Sequence, residues 1–453
     1  MRKINSSAAA NRTSAQAAVL ESVESRQLFS TFIVTSTADA GTGTLRDALI
    51  KANKKSDADL IQFKIGSGVK SIAPSKPMPY IMYPVTIDGT SQPGYAGKPI
   101  IELRGDKTWG DGLVLGGGSS TVKGMVINRF KGSGILVVKA GGDTIKGNYI
   151  GTDVTGTIDR GNGGKGIVVS FGKNTIGGPN AADRNIISGN GNLGLQFWTY
   201  YTAENWVQNN YIGTDVTGNF AIKNGTSGIA LNGSPRNTVT GNVLSGNGED
   251  GLVMNISGGG YNKVLNNIVG LNAAGNARLA NEHYGIETST NYNTINDNVV
   301  SGNHYSGIVL WLASGSNNIV QGNLVGTDKS GTKDIGNWWR GIDVSNGSKN
   351  NLIGGTGVGQ RNIISGNDFY GVLVYEGTDN KFINNYVGTD ITGFKSLKNF
   401  GDGFRLVRTK NVTIQGGIIG YNTGYAVHNG ASINTRISGV KLIGNVLFLV
   451  KML

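Results

Sequence analysis

Glu287 and Asp343 are carboxylates of the kind that act as general acid and base at a glycosidic bond. Around them in sequence stand large aromatic residues, Trp198, Trp311, Trp338, Trp339 and Tyr375, whose planes suit the C–H faces of sugar rings. Arg405 and Arg408 carry the planar fork that holds a uronate carboxylate. These residues form a set only through their spacing from a recurring glycine. If each such glycine opens a strand, the first and third residues after it point inward and the second and fourth outward. Inward pairs are then Ile167/Val169, Leu195/Phe197, Ile229/Leu231, Leu252/Met254, Ile308/Leu310 and Val372/Val374. The outward second positions include Glu287, Asp343 and Arg405, followed by Ala426; the fourth include Trp198, Trp311, Tyr375 and His428. Glu287 and Asp343 fall two turns apart, roughly 10 Å, near the upper limit for an inverting pair.

Other chemistries are poorly supplied. The 453 residues contain no Cys, which removes disulfides, thiolate metal sites and cysteine nucleophiles, and only three His. His283 and His304 read as surface histidines rather than bases. The Asp of a recurrent Gly-Thr-Asp (Asp153, Asp215, Asp328, Asp390) has the oxygen ligand that calcium takes, but Asp at that place is also an ordinary turn former. The expectation is a structural turn and no obligatory cofactor. Gly116-Gly117-Gly118 and Gly258-Gly259-Gly260 lack a following helix and are corners, not phosphate loops. The net charge of +12 favours an acidic partner, yet no clustered Lys/Arg stripe speaks for nucleic acid. No run approaches the roughly 20 apolar residues of a membrane-spanning helix.

The positioning elements are repeats. NYIGTDVTG occurs at 148–156 and 210–218, with variants at 267–275, 323–331 and 385–393. NIISGN, or a close variant, alternates with it at 185–190, 242–247, 298–303 and 362–367. Between them recur the strand-opening glycines, from Gly112, Gly134 and Gly166 to Gly371, Gly403 and Gly424, spaced 21 to 34 residues apart. Short and long steps alternate, so the sequence unit is a pair of turns. Each step holds three short runs with period-two alternation, too short for helices and rich in β-branched residues. Three strands per turn predicts an all-β, right-handed parallel β-helix of about 12 or more turns. The Asn series Asn148, Asn185, Asn210, Asn242, Asn267, Asn298, Asn323, Asn362 and Asn385 predicts a ladder at one corner.

The ends differ. Residues 44–55 place Leu45, Ala48, Leu49 and Ala52 on one helical face, a short helix that caps the first turn. We divide the chain into a segment 1–31, a capping module with irregular entry strands at 32–104, and repeats at 105–453. The apolar VLFLVKML at 446–453 carries no recognisable cap, and two expectations follow: the chain is truncated there, or the edge is buried against something, with self-association one route.

Two stretches carry a family resemblance. FIVTSTADAGTGTLRDALIKAN (32–53) and VTIDGTSQPGYAGKPIIEL (85–103) resemble the N-terminal module of bacterial extracellular β-helix proteins, often marked by a Cys-Ser-Leu-Arg-Glu-Ala core. Here the core is Gly43-Thr44-Leu45-Arg46-Asp47-Ala48. LESVESRQLFS (20–30) is similar to the sorting segment of planctomycete exported proteins. The resemblance implies a parallel β-helix, export, and an extracellular or cell-surface place. Fold relatives include polysaccharide lyases, polygalacturonases and epimerases, but their signature residue sets are absent: Asn434-Thr435-Arg436-Ile437 and His283-Tyr284-Gly285-Ile286-Glu287 do not reproduce them. The expected function is therefore non-catalytic binding of extracellular polysaccharide, an anionic chain among the candidates; the alternatives are a polysaccharide lyase or glycoside hydrolase acting on an anionic glycan and a structural envelope component.

Overall fold

The structure, a computed structural model, describes residues 30–446 and 451–452. The sorting-segment match at 20–30 lies almost wholly outside them. The short alternating runs form three parallel sheets, and each strand pairs with the strands one turn before and after it. Sheet A has 15 strands, from Thr31–Val34 to Arg436–Ser438; sheet B has 14, from Lys70–Ile72 to Lys441–Ile443; sheet C has 13, from Leu113–Leu115 to Lys451–Met452. The chain is a right-handed parallel β-helix, the hand that a right-twisted strand imposes on parallel crossovers. Every inward pair read from the sequence is fully buried, and these side chains stack into one continuous core.

The strand-opening glycines are required by contact across the rungs. A Cβ at Gly166 would lie 2.5 Å from the Gly194 carbonyl oxygen, and one at Gly194 would lie 2.7 Å from that of Gly228. The last turn departs from the spacing. Ala426, not Gly424, occupies the position that pairs with Gly403, because Phe404 aligns with Val427 and Arg405 with His428. His428 is thus an outward second-position residue beside Arg405, two places earlier in its strand than the glycine count implies.

The predicted Asn ladder exists and is one of three. Asn242 shows the pattern: its backbone N–H and its Nδ2 both donate to Asn267 Oδ1 at 3.0 Å, and Nδ2 also donates to the Val207 carbonyl at 2.9 Å. A second ladder runs from Asn162 to Asn445 at the corner before sheet C. A third runs before sheet A from Asp143 through Asn174 and Asn205 to Asn380. The ladders satisfy most of the corner amides and carbonyls that water cannot reach; Asn262 Nδ2, in the third, is buried without a partner.

The helix Leu45–Ala52 buries the four residues expected of it, and the Thr44 hydroxyl caps it by accepting from the Asp47 N–H. The entry region is more regular than its prolines suggest: Asp59–Phe63 and Val85–Asp88 are in register in sheet A, and Lys70–Ile72 and Ile101–Arg104 in sheet B. At the other end Lys451–Met452 adds to Val427–Gly430 as the last strand of sheet C.

Outside sheet B, the Gly-Thr-Asp segments of alternate turns project as hairpin-like loops. Each loop bonds the next directly: Val216 N–H donates to the Gly156 carbonyl at 2.9 Å, Ala273 to Gly218 at 2.9 Å, Lys329 to Gly275 at 2.8 Å, and Ile391 to Gly331 at 2.9 Å. They therefore cross over the shorter turn between them. Beneath them lie small apolar clusters, among them Val243, Ile268, Leu271 and Val299.

Candidate functional site

The outer face of sheet C carries the candidate residues. Strand register places Val253, Glu287, Val309, Asp343, Leu373, Arg405 and His428 side by side on successive rungs. Trp311, Ser345, Tyr375 and Val407 form the adjoining fourth-position row. Trp311 and Tyr375 thus share one face, two rungs apart, while Trp198 lies four rungs before Trp311. Glu287 and Asp343 are separated by the Val309 rung, as the spacing predicts.

Much of the second-position row is shielded. Val309 is inaccessible, and Asp343 is 2% exposed. Beside this row, and over Asp343 in the case of Arg340, stand residues just before the glycines, which reading forward from each glycine does not reach. Tyr284, Tyr305, Trp339 and Tyr370 occupy that place on four successive turns. His283 lies 3.9 Å from Tyr284 and 4.7 Å from Tyr305, ring centre to ring centre, and Tyr305 meets Trp339 edge-on at 5.7 Å. Arg340 stacks on Trp339 at 4.0 Å, and Trp338, half exposed, stacks on His304 at 4.1 Å. The result is an aromatic flank along the edge of the sheet. The available signal was the recurrence of Tyr, Trp, Asp and Arg one or two places before the glycine.

The charged residues are mostly matched. Asp343 accepts from Arg340 and from the Ser345 hydroxyl, so both its oxygens are engaged. Arg405 pairs with Asp402 at 3.3 Å and also bonds His428, which lies 3.5 Å from the same carboxylate. Arg408 binds Glu376 at 2.7 Å and lies against Tyr375. The guanidiniums read from sequence as uronate holders are therefore already neutralised within the protein.

Glu287 is different. It is partly buried and makes no hydrogen bond or ion pair. Burial lifts its carboxyl to about 7, the nearby Asp250 adding to the rise and His283 opposing it. Asp250, buried one rung earlier, accepts from the Tyr284 N–H at 3.0 Å and is 2.9 Å from His283 Nδ1. That hydrogen bond raises the His283 pKa above its usual value, against the opposing effect of burial. His304 is likewise paired, with Glu282 at 2.6 Å. Both histidines are near the surface, yet each is engaged by a carboxylate. An open depression of about 350 Å³ adjoins Asp250 and Glu287, lined also by Thr226, Ser227, Asn232 and Asn255. The Oδ1 atoms of Asn232 and Asn255 are buried without a hydrogen-bond partner.

The Gly-Thr-Asp carboxylates serve their own turns. Asp328 Oδ1 accepts from the Thr332 and Lys333 N–H groups, both at 3.0 Å, and Asp215 repeats the arrangement. For Asp153, burial disfavours the charged form, but hydrogen bonds from Thr155 and the turn amides outweigh it and hold the pKa below the usual value. Among the described residues, no three acidic or histidine side chains gather at this corner.

Residues 151–325 match the family described as right handed beta helix region. Similar solved structures include the periplasmic alginate epimerase AlgG, 14% identical with 90% of each chain covered and a TM-score of 0.45. The A-module of the mannuronan C-5 epimerase AlgE6 of Azotobacter vinelandii is 16% identical, with 91% of this chain and 94% of that one covered and a TM-score of 0.40. The catalytic unit of an α-1,3-glucanase from Streptomyces thermodiastaticus is 14% identical, with 91% and 67% covered and a TM-score of 0.46. No curated protein matches the sequence. No helix among the described residues is long and apolar enough to cross a membrane.

Proposed function

We propose that this chain is an exported β-helix protein that binds extracellular polysaccharide along the outer face of sheet C. The supporting observation is the aromatic flank: Tyr284, Tyr305, Trp339 and Tyr370 recur on successive rungs and span about 14 Å at the ~4.8 Å rung spacing. Trp339 and Tyr305 present open ring surface there, 36% and 41% exposed. An elongated ligand with apolar ring faces and many hydroxyls suits a flank of flat rings bordered by polar groups. Because Arg340, Arg405 and Arg408 are matched internally, they give no preference for an anionic chain over a neutral one.

The test is retention of the purified protein in affinity gels that contain uronate-rich and neutral glycans in turn. At least one glycan should retain it, and a combined Tyr305→Ala and Trp339→Ala variant should weaken retention at least about tenfold, the loss expected for central aromatic anchors. Trp198→Ala, four rungs from Trp311, should have little effect. Retention by none of the glycans, or unchanged retention in the double variant, would remove this reading.

One observation favours a second reading, a lyase or glycosidase. Glu287 has the raised pKa, the exposure and the neighbouring Asp250–His283 pair that proton transfer at neutral pH requires. Asp343, held by Arg340 and Ser345, serves poorly as its partner in acid–base work. Release of unsaturated product or reducing ends, abolished in Glu287→Gln, would establish catalysis.

A further inference from the structure

We propose that Asp250, His283 and Glu287 bind one divalent transition-metal ion of the zinc class. This stands apart from the glycan reading and rests on the cluster itself. One ligand-capable atom from each side chain lies within 4.8 Å of the other two. The three come from two adjacent rungs: Asp250 precedes the strand Leu252–Asn255, and His283 and Glu287 flank the start of the next strand, Ile286–Thr288. A tetrahedral zinc site wants ligands at about 2.0–2.2 Å from the ion. The cluster must therefore contract slightly. Glu287 can do this, because no hydrogen bond or ion pair holds its carboxylate where it is.

The other two ligands are already oriented. The Tyr284 N–H fixes Asp250 Oδ1 at 3.0 Å, and the Ser227 hydroxyl lies 3.4 Å from Oδ2. The His283 imidazole packs against both the Tyr284 and the Tyr305 ring. Such supporting contacts are what fix ligand geometry around a bound ion. Two carboxylates and an imidazole suit zinc-class ions better than calcium, which takes six to eight oxygens. The site borders the depression lined by Thr226, Ser227, Asn232 and Asn255, which leaves a coordination position open on that side. The unpaired buried Oδ1 atoms of Asn232 and Asn255 in the same depression are acceptors for a metal-bound water.

The experiment uses the full chain without a histidine tag, freed of metal by chelation. Zn2+ is titrated by calorimetry, and Co2+ is followed by its visible absorption as a coordination reporter. The expected result is one tightly bound ion per chain, with Ca2+ at least about a hundredfold weaker. His283→Ala and Glu287→Gln should each weaken Zn2+ binding at least about tenfold. His304→Ala should leave it unchanged, which separates this cluster from the His304–Glu282 pair. Glu287→Gln is nearly isosteric at an unbonded side chain, and a thermal melt is the check that its fold persists. Absence of Zn2+ binding, equal affinity for Ca2+, binding insensitive to Glu287→Gln, or loss in His304→Ala would each overturn the assignment.

Discussion

Replacing Asp143 by Asn should stabilise this protein at neutral pH. Asp143 heads the third ladder, where every later member is Asn, and it is inaccessible to water. Its Oδ1 accepts from the Ser120 N–H at 2.8 Å, but Oδ2 is buried without a partner. Burial lifts the carboxyl from 3.8 to about 6, with the Ser120 bond opposing. The folded chain therefore keeps a proton that the unfolded chain releases between about pH 4 and 6. Stability falls as pH rises through that window, and the penalty is complete above the folded-state value. About two pKa units at 1.36 kcal/mol each give roughly 3 kcal/mol as the order of magnitude. An Asn side chain does not ionise. At 174 and 205 the ladder amide donates to the carbonyl three residues back, Phe171 and Thr202, a partner Asp143 cannot use when charged. Urea unfolding of wild type and Asp143→Asn at pH 4, 5, 6, 7 and 8 checks this. The two should coincide near pH 4 and diverge toward pH 7, with Asn the more stable. A difference that does not change with pH, or a wild type more stable at pH 7, would refute the argument.

Other expectations follow from the same geometry. Asn242→Ala removes the acceptor of two Asn210 groups and the donor to Val207, and at 1–3 kcal/mol per stranded buried group should cost about 3 kcal/mol or more in urea unfolding. Gly194→Ala would put a Cβ 2.7 Å from the Gly228 carbonyl oxygen and 2.8 Å from Ile212 Cγ2, costing about 1–3 kcal/mol, whereas Ala426→Gly should cost about 1 kcal/mol or less. In chelator-treated protein, an NMR titration should find His283 above the ordinary histidine pKa, and Asp250→Asn should lower it by removing the hydrogen bond that raises it.

The sequence is most legible where a residue recurs at a fixed offset. Gly166, Gly194 and their counterparts recur because the next rung leaves no room for a Cβ, and Asn185 and Asn210 recur because only a short amide closes that corner on both sides. The second and third ladders keep fixed places too, although the residues around them vary: Asn224 and Asn281 stand four residues before Gly228 and Gly285, and Asn205 and Asn237 stand directly before sheet A strands. The aromatic flank was harder to see. Tyr284, Tyr305 and Trp339 lie before the glycine, where the backbone turns and period-two alternation stops. Ion pairing follows the repeat as well, but through opposite residue types: Arg340–Asp343 and Asp402–Arg405 each join the residue before the glycine to the second one after it, with the charges exchanged, and Glu376 meets Arg408 on the next rung just past the registered Tyr375 and Val407.

The hairpin loops outside sheet B limit how such a chain can be resized. Val216 bonds Gly156, and Ala273 bonds Gly218, across a rung that carries no loop of its own. Excising residues 211–267 would join Asn210 to Ile268 and let Ala273 take the place of Val216 against Gly156, with the corner amides still in line. Excising one rung alone would set two loop-bearing rungs about 4.8 Å apart in place of twice that, although their loops, bonded at 2.9 Å, already touch across the shorter rung. Over residues 148–393, growth and trimming are thus expected to run in doublets, and recombination between those repeats should yield a folded product most readily when it adds or removes an even number of rungs.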